Sequence, residues 1–70
     1  SYSYYLKTKS KFFTQFSYIS YNPYMYPKYY SNEIGFENCR KCPFFKYIIL
    51  YRIYEKDVEI LDIRHSRANY

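Results

Sequence analysis

The sequence predicts an α+β domain in which a short N-terminal helical layer packs on a small antiparallel β-sheet of at least three strands. Three observations carry this reading. Phe12, Phe16 and Ile19 recur at i, i+4 and i+7, the spacing of one helix face. Two runs dense in β-branched and aromatic residues, 47–54 and 58–64, flank a polar break at Glu55-Lys56-Asp57. Pro23 and Pro27 stand between the two regimes and bar a regular helix or strand over 22–27. A chain of 70 residues is one domain. It divides into a helical part (1–21), a Pro/Tyr linker (22–33), antiparallel strands (34–65) and a tail (66–70).

Taken in order, the helical part begins weakly. Tyr5, Leu6 and Phe13 supply further apolar positions, and Ser10 is placed to cap a helix starting at Lys11. Ser, Thr and Tyr stand where Ala, Leu and Glu would favour a helix, so propensity is poor. A first strand is expected within Ile34 to Lys41, a second over Tyr47 to Tyr54, and a third over Val58 to Arg64. In the second, Tyr47, Ile49, Tyr51 and Ile53 share one face and Ile48 and Leu50 the other. Apolar groups on both faces fit a central strand with a helix over one side.

Composition narrows the function classes. The longest unbroken apolar run, Tyr47 to Tyr51, is five residues, too short to span a membrane. There is no secretory apolar region near the start. Two cysteines make no disulfide framework. Abundant aromatic and β-branched residues argue against disorder. Gly35 is the only glycine, so there is no phosphate-cradling glycine loop. The chain carries a net charge of +5, and residues 1–32 contain no acid. Thirteen Tyr and six Phe admit two explanations. Tyr, Phe, Ile, Lys and Asn fill more than half the chain, and their codons are AT-rich, so genome composition alone accounts for the bias. Alternatively, tyrosines interleaved with lysines form a stacking surface for nucleic acid.

The C-terminal half also resembles a known family. Phe45-Lys46-Tyr47-Ile48-Ile49-Leu50-Tyr51-Arg52-Ile53, a short acidic hairpin, and then Val58 to Arg67 with His65-Ser66-Arg67 are similar to the RelE/ParE superfamily of bacterial toxins. That family has a strand of the form Phe-Pro-Tyr-x-Ile-x-Tyr-Arg and a last strand closing on His-x-x-Arg or His-x-Arg. Asn22-Pro23-Tyr24-Met25-Tyr26-Pro27-Lys28 resembles its Asn-Pro-x-x-x-Pro linker, and Gly35-Phe36 the start of its next strand. Residues 22–67 carry the likeness; 1–21 match loosely. Departures include Glu37 at a position usually Arg, Lys46 where Pro is common, and Ala68 where a second Arg often falls. The family's N-terminal strand and part of its helices are expected to be missing here.

The resemblance implies the toxin component of a type II toxin–antitoxin system, of the kind tied to plasmid stabilization, in the bacterial cytoplasm. The lone His and the departures at Glu37 and Ala68 place it nearest the ParE-like branch, whose members bind DNA gyrase. The implied partner is an acidic antitoxin segment, with no cofactor. The alternative is a RelE-like, ribosome-dependent mRNA endonuclease using Arg64, His65, Arg67 and Tyr70, with Arg steadying the transition-state charge and His or Tyr moving protons. A second alternative is an inactive truncated remnant. Arg40, Lys41, Arg52, Arg64 and Arg67 are the candidate binding cations. Cys39-Arg40-Lys41-Cys42 reads as two ordinary thiols, since i and i+3 on a strand face opposite sides and a zinc site needs four ligands. Asp62 is expected to pair with Arg52 or Arg64, and Glu55, Asp57 and Glu59 to be solvated turn and face charges. Tyr24, Tyr26, Tyr29 and Tyr30 form either a stacking platform or the packing of the linker, with Tyr24 or Tyr26 buried.

Overall fold

A computed structural model describes the backbone of residues 2–66 and the side chains of 9–66. One helix, α1 (Tyr2–Tyr21), precedes four strands: β1 (Lys28–Tyr29), β2 (Cys39–Phe44), β3 (Tyr47–Tyr54) and β4 (Asp57–His65). They form one antiparallel sheet in the order β1-β2-β3-β4. The fold is the expected α+β architecture, with four strands where at least three were required.

The helix is longer than its sequence suggests. It starts at Tyr2, so Ser10 lies inside it and caps nothing. Thr14 and Ser17 donate their hydroxyls to the carbonyls of Ser10 and Phe13, four residues back. Those bonds keep the polar side chains from competing for other backbone groups. No Gly or Pro interrupts the run before Pro23, and Pro23 ends it. The expected face is the observed one: Ile19 is fully buried, and Phe12 and Phe16 pack beside it.

The first long strand is Cys39–Phe44, displaced from the expected 34–41. Gly35 and Phe36 therefore lie in a loop rather than opening a strand. Positive φ at Gly35 (91°) and Asn38 (56°) turns the chain there. Pro43 sits inside β2 beyond the end of the two-residue β1, so it faces the open edge of the sheet. Phe45-Lys46 and Glu55-Lys56 make the two hairpin turns, each with positive φ only at its first residue. Asp57 already belongs to β4.

Between Leu50 and Tyr51 the β3–β4 register slips by one residue, leaving Leu61 as a bulge. The slip places Val58, Ile60, Ile63 and His65 opposite the helix-side residues of β3. The main core is Ile19, Cys42, Ile49 and Tyr51, with Phe12, Phe16, Tyr26, Phe44, Ile53, Val58 and Ile60 around it. Each fully buried large side chain contributes about 1.5–3 kcal/mol. Cys39 and Leu50 are equally buried but on the other face of the sheet.

Candidate functional site

The linker is built into the fold by polar contacts. The Tyr51 hydroxyl donates to the Pro23 carbonyl at 2.6 Å, and Arg40 Nη1 donates to the Tyr26 carbonyl at 2.6 Å. The Gln15 amide donates to the Tyr26 hydroxyl and to Cys42 Sγ, both at 3.1 Å, joining helix, linker and β2. The hydrogen bond with Cys42, together with burial, pushes the Tyr26 hydroxyl above its ordinary pKa. Tyr26 thus packs and Tyr29 is half-buried, while Tyr24 stays 68% exposed and Tyr30 85%.

Of the expected Arg64–His65–Arg67–Tyr70 constellation, the described residues include Arg64 and His65. Arg67 and Tyr70 lie outside the described residues. Arg64 and His65 are neighbours on a strand, so they point to opposite faces. His65 is on the helix side, its ring edge-on to Tyr47 at 5.5 Å. Arg64 is on the far side, opposite Ile48. Of the candidate binding cations, Lys41, Arg52 and Arg64 share that far face and Arg40 lies on the helix side.

Residues 33–36 fold over the far face. Arg64 Nη1 and Nη2 donate to the two carboxylate oxygens of Glu33 at 2.8 and 2.7 Å, a bidentate fork. Its Nε donates to Asp62 at 2.9 Å, and its guanidinium lies 4.9 Å from the centre of the Phe36 ring. Asp62 therefore pairs with Arg64, one of its two expected partners. Arg52 donates to Glu59 at 2.6 Å across the β3–β4 pair and to the Gly35 carbonyl at 3.3 Å. Glu59 is thus an ion-pair member rather than a purely solvated charge. Arg64 holds the Glu33 carboxyl below its ordinary pKa, and the two carboxylates raise that of Arg64. Beneath this loop, burial pushes the Cys39 thiol up. Cys39 and Cys42 are free thiols buried on opposite faces of β2.

The residues match one family over nearly their whole length: the model described as the ParE toxin of the type II toxin–antitoxin system, parDE, covers residues 2–70. The chain belongs to the ParE toxin family. No curated protein and no solved structure matches it. Family membership makes it a toxin of the type II toxin–antitoxin class. No described helix of this ParE-family chain is long and apolar enough to cross a membrane.

Sequence reasoning missed Glu33 and Phe36 as partners of Arg64. Glu33 lies 31 residues from Arg64, and no local pattern links them. The opposite facing of Arg64 and His65 was legible, since strand alternation alone separates consecutive residues.

Proposed function

We propose that this chain acts as a ParE-like toxin that binds DNA gyrase, cuts no RNA, and is neutralised by an acidic antitoxin segment. The state of Arg64 carries the choice against cleavage. A nuclease needs that guanidinium open toward a phosphate, whereas here three of its nitrogens are taken by two carboxylates and its face by an aromatic ring. A phosphate would have to compete with the bidentate ion pair already on that guanidinium. His65, facing the other way, does not share a site with it.

Two features suit an acidic antitoxin. The net charge of +5 favours and steers a negatively charged partner. β4 is an edge strand nine residues long, to which an extended segment can add by backbone pairing. Inducing the chain in a bacterium tests the reading. The expected result is relaxed DNA and an SOS response before messages are lost. Rapid cleavage of transcripts within codons would replace it with a ribosome-dependent nuclease. Normal growth with folded protein present would leave a remnant without toxicity.

A further inference from the structure

Apart from the Arg64 face, the sheet carries a second cationic place. Lys28 and Arg40 are direct cross-strand partners of the β1–β2 pair, so their side chains share one face. Like charges so placed repel, and among the described residues neither forms an ion pair. The arrangement is nonetheless held open. Arg40 is fixed by its 2.6 Å bond to the Tyr26 carbonyl, and its guanidinium stands 5.2 Å from the Tyr24 ring centre. Together with Asn38, Ile53 and Glu55 these residues line a concavity of about 300 Å³.

That volume is at the small end of ligand sites, the size of one nucleotide unit rather than a folded partner. An anion on Lys28 and Arg40 would relieve their repulsion. Tyr24, already carrying the Arg40 guanidinium over its ring yet 68% exposed, contributes a flat apolar surface beside the cations that a bare carboxylate would leave unused. A cation pair next to an outward ring is the pairing that single-stranded nucleic acids exploit, phosphate on the charges and base on the ring. Asn38 and Glu55 offer an amide and a carboxylate to a base edge.

We propose that the concavity of Tyr24, Lys28 and Arg40 binds one nucleotide unit of a single-stranded nucleic acid, with its phosphate on the two cations and its base on Tyr24. The site goes beyond the gyrase-directed reading and is tested on the purified chain alone, so either can fail without the other. The measurement is fluorescence anisotropy of labelled oligothymidylate and oligouridylate, about twelve nucleotides long, across a salt series. Both oligomers are expected to bind. Lys28→Gln should weaken them about tenfold at low salt and reduce the log–log salt slope by about one. Tyr24→Leu should weaken them about tenfold with the slope unchanged. Both side chains are exposed, and circular dichroism melts verify that the variants fold. Lys46→Gln, an equal charge loss at the tip of the β2–β3 hairpin, should change affinity less than about twofold. Equal losses in all three variants would reduce the binding to net charge and overturn the site. So would an unaffected Tyr24→Leu, absent binding, or preference for an Asp/Glu-rich peptide of matching length.

Discussion

On one side of the sheet Ile49 and Tyr51 are buried beneath a helix of 20 residues, while on the other Leu50 and Cys39 are as fully buried and residues 33–36 fold onto the arginines of that face. The first cover is apolar: Phe12 meets Phe44 and Tyr47 at ring distances of 4.9 and 5.3 Å, and Ile19 is sealed below. The second is electrostatic, pinned by Glu33 and Phe36 on Arg64 and by Arg52 on the Gly35 carbonyl. Equal burial is thus reached by unlike forces. The helix side should be nearly indifferent to pH and salt, and the loop side should respond to both.

The largest expected effect is on the helix side. Tyr51→Ala removes a fully buried ring and its anchor on the Pro23 carbonyl, a loss of about 3–5 kcal/mol. In so small a domain that approaches the whole stability, so the far-ultraviolet circular dichroism of the variant should be largely that of an unfolded chain. Leu50→Ala, on the loop side, should cost about 2 kcal/mol by chemical denaturation, because a short loop can settle into the space that a helix bridges rigidly. A cost equal to that of Tyr51→Ala would erase the contrast between the covers. Tyr51→Phe keeps the ring and deletes only the hydroxyl, and should cost about 1 kcal/mol in the same assay.

Smaller, and confined to the loop side, is the effect of Glu33→Gln. Arg64 lowers the Glu33 pKa on folding, so the pair stabilises the folded chain above the ordinary carboxylate range. That contribution is lost as pH falls through the lowered value. The melting temperature of the variant should therefore lie below that of the parent at neutral pH, and the gap should close in acid and shrink with added salt. A gap constant from neutral to acid pH would remove the ion pair as its cause. The smallest perturbation is chemical labelling. Cys39, under the loop, should react with a thiol reagent before Cys42, which lies in the helix-side core, and Glu33→Gln should speed Cys39 alone.

The same contrast explains what the sequence disclosed. The apolar cover is written as periodicity: Phe12, Phe16 and Ile19 mark the helix face, and alternation from Tyr47 to Ile53 marks the strand beneath it. The helix begins at Tyr2, ahead of Ser10, in a run that holds no Gly or Pro, and the back-bonded Thr14 and Ser17 are accommodated within it. β2 was obscured because Pro43 looks like a strand breaker until its position on the open edge is known. The bulge at Leu61 depends on pairing between two strands, and no single segment shows it. The electrostatic cover left no pattern at all, since a carboxylate and a guanidinium 31 residues apart meet only after the sheet has formed. Adjacency in sequence made Arg64 and His65 look like one site, and the pleat separates them.

Under the proposed function this ParE-family toxin binds gyrase and Arg64 serves the fold. The most direct measurement is a DNA supercoiling assay with purified gyrase and the purified chain, run beside an assay for cleavage of ribosome-bound message. Dose-dependent loss of supercoiling with intact message is the expected result. Unimpaired supercoiling together with message cut within codons would contradict it.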